Sequence, residues 1–505
     1  MPQATTPHAA GCDCHDHRDW TRRRWLGASA GLSALLAGCA GMGVGDTTGA
    51  ALARAAGDPK RRILLRGGVV LTMDPAVPDL PRGDVLLEGE RIAAIGASLN
   101  VWADVVVDAA GTIVMPGFID THHHQYETAL RGILADGALG LQKEDGPRNY
   151  ITIIQQLYTP LYTAEDARIS ELVASLSQLS AGVTTTVDTS QVSLTPEHTD
   201  ACIAGLREAG QRVVFAYSAG SNLPTSRYPR DIERLRRQYF SSADQLMTLA
   251  MSTGPNPDNW AIARSVGAPI VSHIVGARFG DLERMGRMGL MKADNEYIHC
   301  TQLPDTVWKM IADTGGLVSI APTIEMQMRH GMPPLQKAID LKLRPSLSAD
   351  VECNMTADMF TIMRSAFTLQ RALASERVLA GEASAPRLVT TREVLEMATV
   401  NGARVAHLDR KVGSLTPGKD ADVLMLSADA INVMPLNNVP GAVVTLMDTS
   451  NVQAVFVAGK ARKWAGKLVD VDAAALRRRI EASRDGLVAR AKEKVDLFGS
   501  CCAVK

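Results

Sequence analysis

The chain has 505 residues, a formal net charge of −1, 46% hydrophobic and 21% charged residues, and eight cysteines. That length exceeds one small core and calls for a large domain with an accessory one, or for two to three domains. Near-neutral charge without a Lys/Arg stripe excludes an electrostatic nucleic-acid binder, and the ordinary apolar content excludes a disordered chain.

Residues 1–60 read as an export signal with a linker. In "TRRRWLGASAGLSALLAGCAG" the adjacent Arg22, Arg23 and Arg24 precede an apolar stretch from Ala28 to Ala37. A bilayer-spanning helix needs about 20 apolar residues, so this one is too short. The segment resembles a twin-arginine export signal, and "LAGC" at 36–39 resembles a lipoprotein cleavage box. Lipidation at Cys39 would then be the protein's one contact with a membrane, on the periplasmic side. The alternative is a soluble periplasmic protein cleaved at a nearby small residue. "CDCHDH" at 12–17 imitates a metal tract but lies upstream of the arginines. The remaining cysteines, Cys202, Cys300, Cys353, Cys501 and Cys502, show no paired-spacing framework.

From 61 to 115 short alternating runs such as "RRILLRGGVVLTMD" and "GDVLLEGERIAAIG" predict a small antiparallel β-unit. From 116 to 410 apolar strand-like runs alternate with amphipathic stretches: "AGVTTTVDTS", "RVVFAYSAG", "LMTLAMSTG", "APIVSHIVG", "EYIHCTQL", "GLVSIAPT" and "RPSLSAD". Seven or eight strand-then-helix units favour a (β/α)₈ barrel, which takes around 250 residues. Short strands return over 411–470 and are expected to pair with the first β-unit into one composite β-sandwich. A helix and tail are expected over 471–505.

"VMPGFIDTHHHQ" at 114–125 carries three consecutive histidines. His122 and His124 are two apart, so on an extended strand end they face one side and His123 faces the other. If that side is the barrel interior, both imidazoles meet at the C-terminal mouth, where such barrels carry their chemistry. His273, His299 and Asp350 each close an apolar strand-like run, where a core-filling residue is the default. Four histidines and one aspartate so placed suit a divalent ion, zinc or iron.

"MPGFIDTHHH", "TALRG" (128–132), "GVTTTVD", "IHC", "ADMFTIMR" and "VGSLTPGKDADVLML" together resemble the metal-dependent amidohydrolase superfamily. They fit the branch that includes atrazine chlorohydrolase, S-adenosylhomocysteine deaminase and the cytosine/guanine deaminase-like hydrolases, and the match runs over about 61–470. The resemblance implies a metal held by His122, His124, His273 and Asp350, with His299 touching the activated water or the substrate. Asp350 would also move the water's proton. Two-metal relatives bridge their ions through a carbamylated lysine; the absence of any lysine between Lys143 and Lys292 points to one ion per subunit. The resemblance further implies a small-molecule substrate and a homo-oligomer.

One position departs from the pattern. Deaminases of this branch carry a glutamate three residues after the fifth-strand histidine, and here that position is Gly276. A positioned proton shuttle contributes about 10²–10⁴-fold to rate, so another group is needed. Glu325, expected on the loop after the seventh strand where the family has Asn, is a candidate acid or substrate anchor. His330 and Glu127 are further candidates for contact with substrate. Arg131 is expected to pin the loop after the first strand, and Met326, Met328 and Met332 suggest an apolar mouth. The chain therefore reads as an exported, mononuclear-metal hydrolase of a C–N bond in a small cyclic or aromatic substrate. Alternatives are a hydrolytic dehalogenase of heteroaromatic substrates, or an impaired surface binding protein that keeps the metal site.

Overall fold

The computed structural model describes residues 46–220, 225–276 and 279–499. The twin-arginine segment, the cleavage box at Cys39, and Cys501 and Cys502 lie outside the described residues. Eight parallel strands form the barrel: Phe118–His123, Val183–Ser190, Arg212–Ser218, Met247–Ser252, Ile270–Val275, Asn295–Thr301, Leu317–Ile320 and Ser346–Leu347. "VTTTVDTS" and "RVVFAYS" are buried at every position, as parallel strands covered on both faces require. Helices such as Ala164–Ser180 and Pro196–Ala209 fill the crossovers, and both open on caps. Thr163 with Asp166 forms a capping box on the first, and Thr195 accepts from the His198 amide on the second.

The eighth strand is only two residues long, and the barrel does not close through it. The seam is closed one step later: the Asp350 amide donates to the His122 carbonyl at 2.8 Å, and the His124 amide donates to the Asp350 carbonyl at 2.8 Å. Below this, Thr121 Oγ1 lies 2.7 Å from both Ser319 Oγ and Ser346 Oγ. The opposite end of the barrel is plugged by apolar side chains. Ile119, Val187, Val214, Ala250, Val271 and Ile298 pack with Ala403, Ala406 and Leu408, which follow from the helix Val400–Val405.

The accessory unit is a single nine-stranded sheet built from both ends of the chain. It is mixed, not antiparallel as the alternation suggested. Arg62–Val70 pairs antiparallel with Leu80–Glu88 but parallel with Val105–Asp108 and Thr112–Pro116. Alternation reports which face is buried and carries no information on strand direction. Thr112–Pro116 pairs antiparallel with Val423–Ser427, and this ladder joins the two terminal segments. The residues before 61 are not all linker: Thr47–Ala55 is a helix, and its Leu52 packs into the core of this sheet.

Sheet and barrel meet at the turn through Pro116 and Gly117. A Cβ at Gly117 would lie 2.0 Å from Thr184 Oγ1, so only glycine permits the first barrel strand to start there. Beside it the buried Arg212 donates through Nε and Nη2 to the two carboxylate oxygens of Asp422 at 2.8 and 3.0 Å, and pairs with Asp420 at 2.8 Å. Asp422 also accepts the Ala458 amide from the sheet at 2.8 Å. Removing one partner of a buried ion pair leaves an uncompensated charge and costs about 3–5 kcal/mol. Arg212→Ala is therefore expected to lower unfolding stability by that amount in denaturant titration, whereas Lys309→Ala, whose pair with Asp313 is exposed on both sides, is expected to change it by less than about 1 kcal/mol.

Candidate metal centre

The pairing register of the first barrel strand slips between Asp120 and His123, at the point where the histidines begin. His122 and His124 then stand over the barrel mouth with rings edge-to-face at 4.7 Å. His273, from the end of the fifth strand, places Nε2 at 3.1 Å from His122 Nε2 and 3.3 Å from His124 Nε2. Asp350 Oδ1 lies 3.0 Å from His122 Nε2 and 3.6 Å from His124 Nε2. Four donors bound at about 2.0–2.1 Å in a tetrahedron sit about 3.3 Å apart, so this set fits one zinc-like ion. Three imidazole nitrogens and a carboxylate also suit the chemistry of a borderline divalent cation.

The second barrel strand aims two of these rings. His124 Nδ1 donates to the Thr189 carbonyl at 2.9 Å, which assigns the proton to Nδ1 and leaves the Nε2 lone pair free. His122 Nδ1 lies 3.1 Å from Thr189 Oγ1. Thr189 is a functional residue that the sequence reading passed over; its only signal was its place at the end of "VTTTVDTS". Burial also keeps the rings neutral: it pulls His122 down to about 3, and His273 well below its ordinary value with help from its imidazole neighbours. Burial alone would raise the Asp350 carboxyl, but His299, His122 and His124 hold it well below the ordinary range.

His123 faces away from this cluster. Its Nδ1 lies 3.0 Å from Gln178 Nε2 on the helix Ala164–Ser180, and Gln178 also donates to Asp120 at 2.6 Å. Burial pushes Asp120 up to about 7.

His299, two residues before the end of the sixth strand, has φ +68, and Asp350 has φ +65. Left-handed backbone at non-glycine residues costs on the order of 1–3 kcal/mol each and persists only where the surroundings impose it. In this conformation His299 Nε2 lies 3.7 Å from Asp350 Oδ2, while its Nδ1 lies 3.1 Å from Glu325 Oε1. Burial works against a charged His299, yet Asp350 and Glu325 raise it above its ordinary value.

Several expected site residues occupy different places from those the sequence suggested. Glu325 is not on a solvent-facing loop: it lies in the helix Pro322–Gln327, fully buried, and accepts the Ala321 amide at 2.9 Å as well as facing His299. It is a positioning residue for His299 and does not line the cavity. Glu127 is also sealed behind the wall, accepting from Tyr150 Oη at 2.6 Å, with burial pushing it up to about 8. His330 does reach the cavity, with its ring edge-on to His299 at 4.7 Å. Arg131 keeps the loop-pinning place expected of it, donating to Glu352 at 2.8 Å. Of the three methionines only Met328 lines the cavity; Met326 and Met332 are 44% and 58% exposed.

The cavity over the cluster holds about 300 Å³ and is walled by Leu139, Tyr150, Ile151, Tyr228, Val275 and Met328, with Gln155 and Gln191 on its polar side. Gln155 and Gln191 are shared with a second hollow of about 430 Å³ that also includes Gln156 and Thr159. Among the described residues lining the first cavity there is no Lys or Arg. Tyr150, Gln155, Gln191 and Tyr228 had no sequence signature, because they come from connections after different strands. At Gly276 a Cβ would meet only Gln302 Oε1, at 3.9 Å, so space does not exclude a side chain; its φ of +56 is what favours glycine.

The amidohydrolase family model matches residues 113–462. The chain is 26% identical over 453 residues to the 5'-deoxyadenosine deaminase of Methanosarcina mazei, covering 85% of this chain and 99% of that protein. Among solved structures it resembles a zinc-bound adenosine deaminase from Xanthomonas campestris, with a TM-score of 0.73, 22% identity, and coverage of 85% of this chain and 98% of that one. It also resembles the zinc complex of atrazine chlorohydrolase from Arthrobacter aurescens, with a TM-score of 0.72, 18% identity, and coverage of 84% and 100%.

Behind Thr189 the buried carboxyls of Glu171 and Asp188 face each other. Burial first, and then their mutual repulsion, raises Glu171 well above the ordinary range, and burial raises Asp188 to about 8. A folded state that raises an acid's pKa favours its protonated form. That contribution to stability is complete below the ordinary carboxylate range and is lost as pH climbs through about 8. Glu171→Gln is expected to flatten the decline in denaturant midpoint between pH 5 and 8.5; wild-type and variant profiles running parallel would contradict it.

Proposed function

The chain belongs to the amidohydrolase family, and from that premise we propose that it is a metal-dependent hydrolase of carbon–nitrogen bonds. The observation that carries the reading is the convergence of His122, His124, His273 and Asp350 donor atoms at the spacing of a tetrahedral ion. The similarity to deaminases over nearly the whole of those proteins supports the bond class. Zinc fits the donor set, with iron as the alternative.

A divalent ion in this position supplies a water acidified from a pKa of 15.7 towards about 7. The protein's own groups then have distinct tasks. Asp350 Oδ1 faces the histidine cluster, and its Oδ2, 3.7 Å from His299 Nε2, can accept a proton on the cavity side. His299, oriented by Glu325 and favoured as a cation, donates towards negative charge that develops on the substrate. The substrate is a small, uncharged ring compound bearing an amide, cyclic amide or ring amine. The cavity supports this with an apolar and aromatic wall, glutamine hydrogen-bonding groups and, among the described residues, no Lys or Arg to hold a carboxylate or phosphate.

A second reading is favoured by Gly276. An amine departs only after it gains a proton, whereas a halide leaves as an anion and needs none. Hydrolytic dehalogenation of a heteroaromatic ring therefore suits a site without the usual carboxylate, and atrazine chlorohydrolase shares this fold. We also place the protein in the periplasm, held by a lipid at Cys39, on the strength of the arginines and cleavage box at its start.

Two experiments test these readings. A panel of amides, cyclic amides, aminoheterocycles and chloroheterocycles is expected to show turnover that chelation abolishes and zinc restores, with Asp350→Ala inactive. Metal-replete protein inert on every class would leave only a binding role. Changing both Arg22 and Arg23 to lysine is expected to hold the unprocessed precursor in the cytoplasm; normal processing of that variant would remove the twin-arginine assignment.

A further inference from the structure

We infer that a second divalent cation binds beside the first, on His299, His330 and Asp350. The ligand-capable atoms of these residues all lie within 4.8 Å of one another. The two Asp350 oxygens divide between the clusters: Oδ1 faces His122 at 3.0 Å, and Oδ2 faces His299 at 3.7 Å. A carboxylate so placed can bridge two ions. His299 is prepared as a ligand in the usual way, with one ring nitrogen tethered to a carboxylate, Glu325 Oε1 at 3.1 Å, and the other turned inward.

His330 supplies the independent observation. Its side chain is buried, with the residue 4% exposed, it lines the cavity, and neither of its ring nitrogens has a hydrogen-bond partner. A buried polar group left unpaired is costly, and two on one ring call for a ligand. Its backbone is held on two sides: Arg329 before it has φ +59, and Gln302, just past the sixth strand, donates to the His330 carbonyl at 3.2 Å. With three protein ligands the second ion keeps an open position towards the cavity, the arrangement of a site that meets water or substrate. The expectation of one ion rested on the missing bridging lysine; here the bridge is Asp350 itself. The inference goes beyond the proposed hydrolase reading, which requires only the first ion; with the second ion bound, that ion stands where His299 Nε2 would otherwise carry its proton and where Asp350 Oδ2 would otherwise accept one.

The test is metal counting on the full chain. Protein stripped by chelation is titrated with Mn²⁺, desalted, assayed for manganese by mass spectrometry and examined by electron paramagnetic resonance. Wild type is expected to hold two Mn²⁺ per chain with an exchange-coupled signal. His330→Ala, or His330→Asn should the first variant fail to fold by circular dichroism, is expected to hold one with an uncoupled signal. A single equivalent in wild type, two without coupling, or two retained in the variants would overturn the second site while leaving the hydrolase reading intact. No manganese bound at all would instead remove the first site as well.

Discussion

Asp350 closes the barrel and arms the site with the same residue. Its amide and carbonyl bond to the backbone of His122 and His124, so the seam between the first and last strands is fixed at the metal-binding histidines themselves. The eighth strand is too short to define that seam alone. The carboxylate is thereby presented to the imidazoles with φ +65, a backbone state that the two hydrogen bonds hold against its intrinsic cost. Loss of the seam would scatter donor atoms that are far apart in sequence.

Around this point the protein spends burial on neutrality. His122, His124 and His273 are all driven towards the uncharged form by desolvation, which keeps their inward nitrogens available as ligands. Their outward nitrogens, where bonded, go to Thr189. Across the mouth the balance reverses: Glu325 and Asp350 favour a charged His299. One face of the site collects lone pairs and the other offers a proton. That asymmetry is what hydrolysis asks for, with a nucleophile on one side and developing negative charge on the other.

Gly276 stands where the family resemblance implies a carboxylate, and neither Glu127 nor Glu325 lines the cavity in its place. Glu127 and Glu325 are both sealed behind the cavity wall, each acting on a residue that does face it, Tyr150 and His299. In the proposed reaction, proton supply to a leaving group would pass through side chains that line the cavity, or would not be needed where the leaving group departs as an anion. The cavity wall has no Lys or Arg among the described residues, and a glutamine-lined hollow lies beside it.

What the sequence determined by itself was the class of object. The alternation of apolar runs with amphipathic stretches specified a barrel, because strands buried on both faces and helices buried on one leave different periodicities. His122, His124, His273, His299 and Asp350 were legible because each stands late in a strand-like run, where a core-filling residue is the default. Tertiary structure alone decided the rest. Strand direction in the accessory sheet, the burial of Glu325 and Glu127, the anchoring role of Thr189 and the exposure of His330 to the cavity depend on which loops meet above the barrel. Those meetings join residues up to hundreds of positions apart, and no local pattern of polarity encodes them; they follow from how eight strands tilt and close, which only the folded chain specifies.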